Sequence, residues 1–146
     1  MAKKHTRLDI SKLDQLSTTG AGYDVLRYIS LPDVLGTEAE TLLYFMGKNL
    51  ARKLQAETMH DLFYLFEKMG WGRLDFVKEK RKELIFTLMS DAVVQRLKAP
   101  FEADFRLEAG FLSETLGMIK GRTCECSESV NPKIHQVVFT VVYTDI

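Results

Sequence analysis

The chain of 146 residues has no run of about 18 apolar residues, so no membrane-spanning helix is expected. Its first residues, MAKKHTRLDISKLDQL, are basic without an apolar stretch behind them, which does not read as a secretory signal. Cysteine is scarce: Cys124 and Cys126 are the only two, too few for a disulfide framework, and a reducing cytoplasmic location is expected. Charge of one sign is missing as well. Twenty Lys and Arg balance twenty Asp and Glu, so no global field draws in nucleic acid or an anionic membrane. KEKRK at 78–82 is the one basic run in the body of the chain, and it reads as a solvated hairpin tip that blunts edge pairing. There is no G-x-S-x-G, no glycine-rich phosphate loop and no H-E-x-x-H. His60 and Glu67 share a helix face that reads as ordinary solvated surface. An enzyme assignment therefore has no residue to rest on.

What is present is enough apolar residue, 46%, for one sizeable core. Residues 1–19 read as a flexible N-terminal arm and 20–146 as a single domain. Phe105 to Ile119 carries two apolar stripes at about 100° per residue, which implies a central helix buried on two sides. Gly110 and Gly117 lie on its remaining arc, where another backbone can come near. Thr37 with Glu40 suggests a capping box. Behind it Ala39, Leu42, Leu43, Met46, Leu50 and Leu54 form the stripe expected to face inward. Gly47 and Ala51 form a small pair suited to close packing. Thr58 and Gly70 bound a second helix, and Ser90 opens a short third.

Residues 74–77 and 83–89 read as a hairpin, and 122–128 with 134–143 as another, turning at 129–133. The last strand is apolar on both faces, so it is expected to be central. The fold class is α+β: a four-stranded antiparallel sheet covered by helices, in helices-ββ-αα-ββ order.

The candidate sites are few. Cys124 and Cys126, two apart on a strand, share a face. With His135 they could form a zinc or thiol-sensor set, while the simpler reading is two core thiols beside Val137 and Phe139. Phe63, Phe66, Phe86, Phe105 and Phe111 are candidates for lining an apolar ligand pocket between sheet and helices, against the alternative of a filled core. Tyr44 and Phe45 lie off the inward stripe and are the candidates for a homodimer interface. Apart from that zinc, no cofactor is expected.

MGWGRLDFVKEKRKELIFTL (69–88) and FRLEAGFLSE (105–114) resemble the uncharacterised YslB-like bacterial family. More broadly, the element order and LEAGFL at 107–112 resemble the fold shared by TRAPP tethering subunits, vinyl-reductase-type sensor domains and haem nitric-oxide-binding domains. The resemblance implies a non-enzymatic scaffold that binds a small apolar ligand or a protein partner, and subunits that pair through their helices. The haem signature Tyr-x-Ser-x-Arg is absent, and neither cysteine sits on an early helix as TRAPP acylation requires.

Overall fold

Short helical pieces open the described chain. The computed structural model describes Ile10 and residues 21–145; the expected arm at 1–19 lies, apart from Ile10, outside the described residues. In order come α1 (Ala21–Val25), a π-helical turn (Leu26–Ser30), α2 (Leu31–Leu35) and a 3₁₀ turn (Gly36–Glu38). Then follow α3 (Ala39–Leu54), α4 (Met59–Lys68), β1 (Arg73–Glu79) and β2 (Glu83–Met89). The last four are α5 (Asp91–Lys98), α6 (Arg106–Lys120), β3 (Cys124–Asn131) and β4 (Gln136–Tyr143). The strands form one antiparallel sheet in the order β1-β2-β4-β3. The fold is α+β in the expected order, with β4 internal. No helix among the described residues is long and apolar enough to cross a membrane.

Local chemistry explains several boundaries. Thr58 accepts the Asp61 amide at 3.1 Å and Ser90 that of Val93 at 3.2 Å, so α4 and α5 each begin at a side-chain cap. Each such cap contributes about 1 kcal/mol. The capping box expected at Thr37 does not form. Thr37 lies inside the 3₁₀ turn Gly36–Glu38 that leads straight into α3, so Glu38 takes the position before the helix and no side chain caps it.

The sheet packs one face on the helices. Leu84, Phe86 and Leu88 of β2 stand opposite Val141, Phe139 and Val137 of β4, and all six are buried. Each such side chain contributes roughly 1.5–3 kcal/mol on burial. On the other face Ile85, Thr87, Val138 and Thr140 are half-buried.

α6 is the central helix, buried from Glu108 through Ser113 and again at Thr115 and Leu116. α3 crosses it with backbones in near contact. A Cβ placed on Gly110 would fall on the Tyr44 carbonyl, and one placed on Gly47 on the Leu107 carbonyl. Each helix thus offers a glycine to the other's backbone, and Ala51 extends the contact. Gly117 instead faces the Arg122 carbonyl just beyond its own helix. This crossing corrects the face expected for α3. The buried positions are Leu43, Tyr44, Gly47, Lys48, Ala51 and Leu54, while Leu42 and Met46 are exposed. The helix is rotated about a quarter turn from the aliphatic stripe, counted at about 100° per residue. Close approach of two backbones needs the small residues at the contact, and that requirement outweighed the larger side chains.

Candidate functional site

The rotation of α3 leaves an apolar stripe uncovered. Leu42, Phe45 and Met46 are 40%, 58% and 42% exposed. Their i, i+3, i+4 spacing puts them on one line, nearly opposite the buried face. Glu38 lies on this outer face at the N-terminal end, and Lys53 at the C-terminal end. Leu26, Ile29 and Val34 of the preceding short pieces are also exposed. Phe45 is therefore where the sequence put it, at a surface. Tyr44 is not: it is only 9% exposed and belongs to the core.

Tyr44 and Lys48 instead finish the edge of the sheet. The Tyr44 hydroxyl accepts the Cys126 N–H at 2.9 Å and donates to Glu125 Oε1 at 2.6 Å, and it lies 3.2 Å from Ser113 Oγ. Lys48 Nζ donates to the Cys124 carbonyl at 3.4 Å and pairs with Glu125 at 2.9 Å. One turn of α3 thus satisfies a donor and an acceptor that an edge strand would leave open. Burial pushes the Tyr44 phenol up to about 12, with the Glu125 contact adding to it, so it stays protonated. Burial alone would raise Glu125, but its bonds from Tyr44 and Lys48 outweigh this and hold it below the ordinary 4.5. The sequence signal for this arrangement was present: Tyr44 and Lys48 are four apart, flanking Gly47.

The cysteines are free and buried on the helix-covered face of β3. Cys126 stands opposite Val141 and Cys124 opposite Tyr143, not beside Val137 and Phe139 as the sequence suggested. His135 is not with them. β3 runs on to Asn131, the turn occupies 132–135, and His135 sits in that turn at φ 50°. Five residues of strand separate it from Cys126, about 17 Å at the usual rise. No group of three metal-ligating side chains occurs among the described residues. Burial also raises both thiols above the usual 9.0, Cys126 well above, which disfavours the thiolate. Cys124→Ala and Cys126→Ala are each expected to cost about 1 kcal/mol of stability, read by thermal melting, and a chelator is expected to leave the melting temperature unchanged. A chelator-induced drop would restore the metal set.

Four of the five proposed pocket residues lie in the core. Phe66, Phe86, Phe105 and Phe111 are fully buried, and Phe66 meets Trp71, Phe111 and Phe139 edge-on at centroid distances of 5.1, 5.9 and 6.3 Å. Edge-to-face stacking of this kind holds the rings against one another within the core. Phe63 lines an open groove of about 470 Å³ beside β1.

A buried polar cluster lies beneath the N-terminal pieces, and the sequence reading assigned it no role. The π-helical turn carries Arg27 and Tyr28 inward. Arg27 holds both oxygens of Asp104 at 3.1 Å and Glu108 Oε1 at 3.1 Å. Tyr28 stacks on Phe101 at 4.9 Å. Nearby, Arg96 bonds Asp24, and Trp71 Nε1 donates to the Tyr23 hydroxyl at 3.0 Å. Glu108 is wholly buried, and burial raises its carboxyl above the ordinary 4.5 against the pull of Arg27. Three atoms here have no hydrogen-bond partner among the described residues: Arg27 Nε, Tyr28 Oη and Glu108 Oε2. The readable signal was Glu108 itself, a carboxylate within a helix predicted to be buried on two sides.

A family model described as a protein of unknown function, DUF2507, matches residues 20–142. The uncharacterised protein YslB of Bacillus subtilis (strain 168) is 35% identical over 139 residues, covering 95% of this chain and 94% of that protein. The uncharacterised protein MJ1642 of Methanocaldococcus jannaschii is 24% identical over 108 residues, covering 73% of this chain and 65% of that protein. Among solved structures, a vinyl-4-reductase family protein from Methanocaldococcus jannaschii superposes with a TM-score of 0.67 at 20% identity, over 92% of this chain and 88% of that one. The phenol-responsive sensory domain of the transcription activator PoxR, solved with phenol, superposes with a TM-score of 0.59 at 16% identity, over 88% and 76%. These two likenesses show the shared fold. By the family model and the YslB match together, the chain belongs to the DUF2507 family.

Proposed function

We propose that the protein is a non-enzymatic interaction module that works as a homodimer, with the outer face of α3 as the contact. The observation that carries this reading is the second apolar stripe of α3, Leu42, Phe45 and Met46, opposite the one the core uses. Charge favours a second copy of the chain as the occupant. Two α3 helices related by a two-fold axis between Phe45 and Met46 run antiparallel, which sets Glu38 against the partner's Lys53 twice over. Antiparallel helix dipoles add to the same preference. Sedimentation tests this. The wild type is expected to be dimeric at about tens of micromolar, and Phe45→Glu monomeric with its melting transition retained. A monomeric wild type removes the reading, and a dimer indifferent to Phe45→Glu moves the contact elsewhere.

A second reading, a small-ligand module, draws support from the Arg27, Tyr28 and Glu108 atoms that are unpaired among the described residues and from the phenol-responsive neighbour. Native mass spectrometry of freshly purified protein tests it through the mass of any retained guest. Neither reading calls for a cofactor, and two free buried thiols suit a reducing cytoplasm.

A further inference from the structure

The sheet has two edges, β1 and β3, and they are finished differently. On β3 the side chains of Tyr44 and Lys48 take up outward backbone groups at Cys126 and Cys124. Along β1 no described residue does the same. Beside it runs the groove of about 470 Å³, touched by the four consecutive residues Arg73–Phe76 and walled on the other side by one face of α4. Successive strand residues point to opposite faces, so a groove touched by all four lies edge-on to the strand. Phe63 and Phe76 give it apolar surface, and Phe76 is exposed. At the far end the ladder is interrupted by a bulge between Phe76 and Lys78, and the KEKRK run begins. Lys80 pairs with Glu83, and Glu79 with Lys120, which leaves Lys78, Arg81 and Lys82 without an ion pair among the described residues.

We propose that the β1 edge is a docking site for an extended, acidic and apolar segment of a partner protein, which adds to the sheet as a fifth strand. Its backbone pairs along Arg73–Phe76, its apolar side chains rest on Phe63 and Phe76, and its acidic residues meet Lys78, Arg81 and Lys82. Main-chain bonds supply affinity in this mode and alternate side chains supply specificity. A second copy is the less favoured occupant: over 73–82 the basic Arg73, Lys78, Lys80, Arg81 and Lys82 outnumber Asp75 and Glu79, and like charge on an edge opposes self-pairing. An acidic segment turns the same charges into attraction. The proposal is independent of the α3 face.

Panning a displayed library of random peptides against the full chain tests it. The enriched peptides are expected to alternate apolar residues and to carry an acidic flank. A labelled consensus peptide should bind at least about tenfold more weakly to the Lys78→Glu/Arg81→Glu/Lys82→Glu protein, and more weakly at high salt. Phe63→Ser should weaken it too, and bound peptide should slow amide exchange at Arg73–Phe76. Matching melting temperatures confirm that the variants are folded. Failure to enrich an acidic and apolar consensus overturns the proposal. So does binding that survives the triple charge reversal, or exchange protection on α3 instead of β1.

Discussion

Gly110→Leu is expected to lower stability by about 3 kcal/mol or more, a drop of roughly 6–12 °C in melting temperature for a chain of this size. Glycine in the middle of a helix is itself unfavourable by about 1 kcal/mol relative to alanine, so on propensity alone any substitution there should help. The reason it does not is geometric. The Tyr44 carbonyl of α3 occupies the place of a Cβ, so even Gly110→Ala forces the helices apart. Separation also draws Tyr44 and Lys48 away from β3, so the damage reaches the sheet edge. Gly22 provides the contrast: it is helical with open space around it, and Gly22→Ala is expected to be neutral or stabilising by up to about 1 kcal/mol. Thermal melts of the three variants check the argument, and Gly110→Ala at or above wild type would refute the crossing.

Arg27→Met is expected to be at least as damaging, at about 3–5 kcal/mol near neutral pH, because it strips a wholly buried carboxylate of its counter-charge. Adding Glu108→Gln should recover part of the loss, since the remaining group carries no charge; the two changes are in contact and will not add. The pH dependence has a definite sign. Burial raises Glu108 above its ordinary 4.5 in the folded protein, so the unfolded chain gives up that proton first. Stability from this group is therefore fullest below about 4.5 and is lost as the pH rises through the raised value. Removing Arg27 takes away a contact that lowers the carboxyl, which widens the window. The deficit of Arg27→Met relative to wild type should thus be smallest in acid and grow toward neutrality. Denaturant unfolding at several pH values measures it, and a deficit independent of pH would mean that Glu108 is not the group left exposed to the loss.

The parts of this fold legible in the sequence are those set by local chemistry or by strong periodicity. Thr58 and Ser90 announce their helices because a cap is a three-residue event. The alternation of Leu84, Phe86 and Leu88, and the double apolar pattern of the last strand, give the hairpin face and the central place of β4. What was misread depended on a partner distant in sequence. Leu42 and Met46 look like core residues until α6 is placed, because nothing in α3 alone says that Gly47 and Ala51 mark the contact. Lys48 and Tyr44 look like surface until β3 is seen to need a donor and an acceptor. The second hairpin turn begins at residue 132 instead of the expected 129, and that shift carries His135 away from the thiols. The pairing of Glu108 is not legible in the sequence because its counter-ion, Arg27, which it shares with Asp104, comes from a distant segment that only the fold brings to it.

The crossing at Gly47 and Gly110 also limits how a sequence of this fold can drift. When two side chains touch, enlarging one can be offset by trimming the other. Here each glycine meets a carbonyl of the facing helix, an atom that every residue possesses and no substitution removes. A larger residue at either position therefore has no compensating partner anywhere in the chain. Suppressor screens begun from Gly110→Ala should return reversions, or changes that stabilise the protein at distant sites, and no allele-specific partner at the positions facing it.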